Sequence, residues 1–342
     1  LSLKLSTNLK TVFYIAHQKG STAMKIISPD TLSVTSYLKP AFSISAALML
    51  AIGLTPSAHA ASFADFIFVV DESGSMSGEH SWLGQSIGEL EFALRGKGVG
   101  VRSEENRYGL IGFGGGYSGT SRSLSVGGNL FGSASELATA TNSLVTNGAW
   151  EDGYSAIDYA LNNYSFRDGA AVNFVLITDE DRDIRANSVN FNSILNGLQS
   201  KNALLNVVVN HQMFNGNRQR AIGADAQGNA FIADGSGGFT TTPNTGVSSL
   251  YSFGTTKTDY VNLAWATGNS TISGAAWDLN LLRAGGKSAQ SFTAAFAEIK
   301  ATEAWKQTGN GDSTQVPEPT ATLGLLGLAA LGLSKRMVRR SI

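Results

Sequence analysis

Residues 66–76, FIFVVDESGSM, constrain this chain more than any other stretch. Phe66, Ile67, Phe68, Val69 and Val70 form an unbroken apolar run rich in β-branched and aromatic side chains. Such a run reads as a strand buried on both faces, the kind found inside parallel sheets. It stops at Asp71, and Asp71, Ser73 and Ser75 then alternate through a short loop. One carboxylate and two hydroxyls at the end of a buried strand make a hard, all-oxygen cluster. That chemistry suits Mg²⁺, Mn²⁺ or Ca²⁺ and does not suit zinc. A plain Ser/Gly turn following a strand has the same residues, so the motif alone leaves both readings open.

The rest of the chain supplies the context. Residues 171–178 (AVNFVLIT) repeat the pattern of a fully apolar strand and end at Asp179, followed by Glu180, Asp181, Arg182 and Asp183. Residues 107–112 and 203–209 read as further strands. Helical spacing of apolar residues marks 82–94, 134–145, 154–162 and 188–198. Strands alternating with helices predict an α/β fold: a doubly wound, mostly parallel sheet with helices on both faces and right-handed crossovers. Ligands of such sheets lie at the carboxyl ends of strands, where Asp71 and Asp179 both fall. Residues 211–257 have a different texture, rich in Gly, Asn, Thr and Asp, and predict a small β-hairpin insert protruding from the sheet. The core then resumes at Tyr260, passes through Trp277 as a buried anchor, and closes with a helix over 291–304. The Gly-rich stretch 114–119 lacks the Lys and Ser/Thr of a phosphate loop and reads as a strand-end loop.

Composition removes several classes of function. The chain of 342 residues has no cysteine, which excludes disulfides, thiolate metal sites and a cysteine nucleophile. A formal net charge of −1 gives no electrostatic footprint for nucleic acid. Beyond the first 60 residues only His80 and His211 remain, too few for a zinc site and without a Ser-His-Asp order. Asp179, Asp181 and Asp183 mimic the start of an EF-hand, but Ile184 stands where Gly is needed and Asn190 where the closing Glu belongs. Gly286-Lys287-Ser288 imitates the end of a phosphate loop, yet Leu281 occupies its first Gly position. No catalytic set survives, and a non-enzyme is expected.

The two ends read as addresses. Lys25 and Lys39 precede the apolar run 41–54, and Ser57-Ala58-His59-Ala60 follows, predicting a secretory leader cleaved after Ala60, with Met24 as an alternative start. At the other end, residues 310–315 read as a linker. Val316-Pro317-Glu318-Pro319 is followed by the apolar stretch 320–333 and a basic cluster from Lys335 to Arg340. This order resembles the PEP-CTERM sorting signal of Gram-negative bacteria. The resemblance implies recognition by an exosortase, anchoring through the C-terminus, and a place at the cell surface, outer envelope or extracellular matrix.

Over residues 62–306 the chain resembles the von Willebrand factor type A domain. The resemblance rests on FIFVVDESGSM, NGAWEDGYSAIDYAL and VNFVLITDEDRD, in that order. It implies a metal-ion-dependent adhesion site (MIDAS) in which Asp71, Ser73, Ser75 and Asp179 serve a divalent cation, Mg²⁺ first, with Mn²⁺ or Ca²⁺ as alternatives. Glu151, with Asp152 beside it, stands where the family places a metal-binding Thr. Glu151 on the metal would gather three carboxylates and disfavour an anionic partner ligand. The alternative is that Glu151 caps the following helix. The function expected is cation-dependent binding of an extracellular protein or polysaccharide-matrix partner. A structural matrix protein with a fold-stabilising metal, or a non-catalytic accessory subunit of an enzyme complex, are the alternatives.

Overall fold

The computed structural model describes residues 62–101, 104–116 and 119–310, together with a short ladder within the first 58 residues. In that ladder Thr7 pairs with Val12 and Asn8 with Thr11, antiparallel. Apart from that ladder, the leader with its cleavage point lies outside the described residues, as do residues 311–315 of the linker and the C-terminal apolar stretch.

The remaining unit begins with β1 (Ala64–Asp71), buried at every position. Its side chains alternate between two cores, as period-2 geometry requires. Phe66, Phe68 and Val70 enter one core, Ile67 and Val69 the other. α1 (Ser77–Gly96) follows and buries Leu83, Ile87, Leu90 and Leu94 on one stripe. It ends where Gly98 takes φ 85°, a left-handed turn that glycine makes without steric cost. Next come β2 (Arg107–Phe113), β3 (Arg122–Leu124), α2 (Ala134–Ala140) and α3 (Gly153–Asn163). β4 (Ala171–Ile177), α4 (Phe191–Ser200) and β5 (Leu204–Val209) complete the alternating part.

β1 pairs in parallel with both β2 and β4, and β4 pairs in parallel with β5. The chain therefore winds outward from β1 in both directions. β1 is the switch point, and the crevice beyond its carboxyl end is where such a sheet receives a ligand. One core packs α1 and α2 against the sheet, the other α3 and α4. The doubly wound, mostly parallel α/β architecture expected from the sequence is present.

The 211–257 segment is β-rich but does more than protrude. It contains β6 (His211–Asn215), β7 (Arg220–Ala221), β8 (Gly223–Asp225), β9 (Ala230–Ala233), β10 (Phe239–Thr242) and β11 (Val247–Ser252). β6 joins β7 and β11 in a separate three-stranded sheet. β8, β9 and β10 instead extend the main sheet antiparallel, through β12 (Ala275–Asp278), itself parallel to β5. The full order is β10-β9-β8-β12-β5-β4-β1-β2-β3. The physical reason is an open edge: without β8, the ladder groups of β12 on that side would be unpaired. Phe231 on β9 stacks on Trp277 of β12 at 5.3 Å between ring centroids, and Trp277 is fully buried as expected. α5 (Asn262–Ala266) precedes β12, and α6 (Leu279–Arg283) and α7 (Gly286–Trp305) follow it. No helix among the described residues is long and apolar enough to cross a membrane.

Candidate metal centre

At the carboxyl end of β1 the Asp71 side chain is fully buried. One carboxylate oxygen accepts from the Ser73 backbone N–H at 2.7 Å, the other from the Thr178 hydroxyl at 2.7 Å. The Ser73 and Ser75 hydroxyls are 3.2 Å apart, and Ser75 donates to Asp179 Oδ1 at 3.0 Å. Asp71, Ser73, Ser75 and Asp179 thus lie along one connected string of oxygens. Glu151 reaches the same place from the loop before α3. A side chain grown on Gly114, at φ 81°, would meet both Asp71 and Glu151, each 3.5 Å from its Cβ. Glycine keeps that wall open.

The loop is held from behind by groups the sequence reading missed. His80 Nε2 lies 2.7 Å from the Asp71 carbonyl oxygen. Glu72, pointing away from the site and fully buried, receives Arg122 from β3 and the Val145 N–H. Gly148 donates to the Glu72 carbonyl at 3.0 Å, which sews the 145–151 loop to the Asp71 loop. Apart from His80, nine residues on, these partners stand 50 or more residues away in sequence, so no local pattern announces them.

Glu151 is not a helix cap. Asp152 is the N-cap of α3, accepting from the Ser155 N–H at 3.3 Å and pairing with Arg182 at 2.6 Å. The Glu151 backbone N–H instead donates to Asp183 at 3.1 Å. Asp179 also differs from expectation. Its second oxygen pairs with Arg283 of α6 at 2.9 Å, and Arg283 also binds Glu79. Among the described residues no three His, Cys, Asp or Glu side chains stand where they could share one ion. The three-carboxylate shell of Asp71, Glu151 and Asp179 is therefore not preassembled, and Asp179 is paired with Arg283.

Electrostatics single out the other two acids. Burial pushes the Asp71 carboxyl up to about 6, against the hydrogen bonds from Ser73 and Thr178, with the Asp179 charge adding to the rise. Glu151 is pushed up to about 8, first by burial, then by the charges of Asp71, Asp183 and Glu180. Among the described residues neither acid has a basic partner. Two desolvated carboxyls without a basic partner, beside two hydroxyls, are a donor set that fits a hard divalent ion, with Arg283 reaching only Asp179 and the Ser75 carbonyl at its edge.

The rim carries apolar surface. Trp150, next to Glu151, is 54% exposed and Ile184 is 63% exposed. The far end of the β-rich segment also arrives here: the Thr255 N–H donates to Asp181 at 3.3 Å.

Residues 315–340 match the family model described as the PEP-CTERM protein-sorting motif. The chain carries an exosortase sorting signal. That signal implies exosortase processing and export to the cell envelope. No curated protein matches the chain. Solved structures similar to it include BatB, a conserved hypothetical protein of Bacteroides thetaiotaomicron, at 12% identity and TM-score 0.37, covering 72% of this chain and 99% of that one. A von Willebrand factor type A structure from Catenulispora acidiphila matches at 13% identity and TM-score 0.32, over 43% of this chain and 33% of that one. Proximal thread matrix protein 1 from the mussel byssus, with a zinc-occupied MIDAS motif, matches at 13% identity and TM-score 0.32, over 44% and 36%. The chain thus spans about a third of the length of the latter two.

Proposed function

We propose that this exported protein binds a partner at the cell envelope through a divalent cation held at the carboxyl end of β1, and that it is not an enzyme. One observation carries the reading: buried Asp71, beside Ser73, Ser75 and Glu151 at the sheet's switch point, has no basic partner among the described residues. Asp71, Ser73 and Ser75 would hold the ion, Glu151 would complete the shell, and Asp179 would support it through Ser75. Mg²⁺ is the first choice, since the donors are all oxygen, with Mn²⁺ or Ca²⁺ as alternatives. A bound dication supplies a coordination position for one oxygen of the partner. Exposed Trp150 and Ile184 supply apolar contact beside it, and the β-rich segment ending near Asp181 supplies specificity. The partner is an extracellular protein or matrix polysaccharide. With Glu151 in the shell, an acidic partner group is disfavoured relative to a neutral carbonyl or hydroxyl oxygen.

Thermal melting with Mg²⁺, Mn²⁺, Ca²⁺ or EDTA tests the site, with Asp71→Ala alongside. A ligand that binds only the folded state raises the melting temperature. The expected result is a cation-dependent rise that Asp71→Ala abolishes. Retention on the isolated envelope and matrix fraction, in cation and in EDTA, tests the role. Retention lost while the fold persists is the expected outcome, whereas unfolding in EDTA means a structural ion. Glu151→Thr should weaken the cation response, and an unchanged response excludes Glu151 from the shell.

A further inference from the structure

Far from the oxygen site, α7 presents Phe292, Phe296 and Lys300 to the sheet at successive four-residue steps. The third position of an apolar stripe is thus a lysine, fully buried. Its Nζ lies 2.7 Å from Asn173 Oδ1, on the β4 face turned toward α7, and 2.7 Å from Glu303 Oε2, one turn along the same helix. Asn173 is fully buried and Glu303 is 5% exposed. The Phe66 ring centroid is 5.8 Å from Nζ. Glu303 is held by Asn206 of β5 at 2.9 Å, and Asn206 in turn accepts from Trp277 at 2.8 Å.

We propose that Lys300 and Asn173 join in an autocatalytic isopeptide bond, with Glu303 as the proton carrier. Lys300 is already in hydrogen-bond contact with each of the other two groups, all three are buried, and their effective concentration is very high. Burial pushes the Lys300 ammonium down and the Glu303 carboxyl up, each toward its neutral form, and the charge of the partner opposes both shifts. A desolvated neutral lysine is a nucleophile. Its Nζ attacks Asn173 Cγ, forming the new C–N bond. Glu303 accepts a proton from the attacking nitrogen and returns one to Asn173 Nδ2. The bond from Cγ to Nδ2 breaks, and ammonia leaves. Amine and carboxamide thus become a secondary amide and ammonia, with no oxidant or co-reactant. Asn173 Nδ2 already donates to Gln307 at 2.8 Å, and Gln307 lines an open cleft of about 220 Å³ through which ammonia can escape.

The bond would staple β4, beside the central strand, to the last long helix before the sorting motif. Load entering from the C-terminal side would then pass into the sheet through a covalent link. Peptide mapping of the folded, purified full chain tests this. The expected result is a branched peptide joining the segments that contain Lys300 and Asn173, lighter than its two linear parts by one ammonia, with tryptic cleavage after Lys300 lost. Only linear peptides from the folded protein would overturn the bond. Lys300→Met, which keeps the core apolar, should yield linear peptides and an intact Asn173. Ammonia loss that persists there is a succinimide and overturns the proposal. Glu303→Gln should leave the two segments unlinked in protein that still melts cooperatively, and a branched peptide in that variant removes Glu303 from the reaction.

Discussion

Two aspartates on the same strand have opposite surroundings. Asp65 and Asp71 are both fully buried, six positions apart on β1. Asp65 is clamped by Arg107, with contacts at 2.8 Å, and by Arg167, with contacts at 2.6 and 2.9 Å, and it accepts the Arg167 N–H as well. Asp71 receives only neutral donors. A buried carboxylate is tolerable only when its charge is compensated or given up. The chain supplies the compensation at the amino end of the strand and none at the carboxyl end, where the proposed ion would supply it. Burial by itself therefore does not mark a site; burial without a partner does.

The largest expected effect tests the clamped end. Asp65→Ala takes a buried acid from two partly exposed arginines, of which Arg167 keeps Glu104 at 3.0 Å and Arg107 keeps the Ser165 carbonyl, and should cost about 3 kcal/mol, the lower end of the range for breaking a buried ion pair by removing one partner. Asp71→Ala removes an uncompensated buried acid and should leave the cation-free protein as stable as before, or more so. Denaturant titration in EDTA compares the two. Equal losses would mean that the neutral donors around Asp71 suffice and no ion is needed. Cation addition is the next largest effect. At one hundred times its dissociation constant an ion bound only to the folded state stabilises by about 2.7 kcal/mol. Asp65 variants that still fold should keep that increment, and Asp71 variants should lose it.

The pH dependence sharpens the same contrast. A carboxyl whose folded pKa lies above its unfolded value binds more protons folded than unfolded, so its contribution is greatest in acid and is lost as pH rises through the folded value. Asp71, pushed up to about 6, and Glu151, pushed up to about 8, interact and titrate as a pair. In EDTA the melting temperature should therefore decline between about pH 4 and pH 8, from the ordinary carboxyl range to the higher folded value, and saturating cation should flatten the decline. A decline of the same slope in Asp71→Asn and Glu151→Gln would assign it to other groups.

Much of this was legible in the sequence, and the part that was not has a common cause. The β1 strand shows in five consecutive apolar residues, α1 in the spacing of Leu83, Ile87, Leu90 and Leu94 (Phe92, read with them, faces out at 81% exposure), and the oxygen donors in Asp71, Ser73 and Ser75. All are local signals, set by strand and helix periodicity. The pairing of β8 with β12 was not legible, because it joins residues about fifty positions apart and answers an edge that exists only once the sheet is assembled. The same holds for Arg122 with Glu72 and for Arg283 with Asp179. Nor does the sequence distinguish Asp65 from Asp71 as clamped and free, since both adjoin the same apolar run and the arginines come from β2 and from the turn after α3.

The smallest effect concerns the arginine that intrudes on the free end. Arg283 is one-third exposed, and it divides itself between Glu79 and Asp179. Asp179 is therefore a partly clamped acid lying between the two extremes on β1. Arg283→Gln keeps a donor for Glu79 but removes the positive charge; the guanidinium is one-third exposed while both acids are buried, so the pairing lies between the surface and the buried case, at about 1–2 kcal/mol. Stability in EDTA should fall by no more than that. Cation affinity should rise about threefold to tenfold, the equivalent of about 0.6–1.4 kcal/mol, as the competing guanidinium leaves Asp179 beside Ser75. Calorimetric titration of Mg²⁺ or Mn²⁺ into both proteins measures the change. A drop in affinity would reverse the reading of Arg283: its contact with the Ser75 carbonyl, at 3.2 Å, would then hold the loop in the shape that the ion needs.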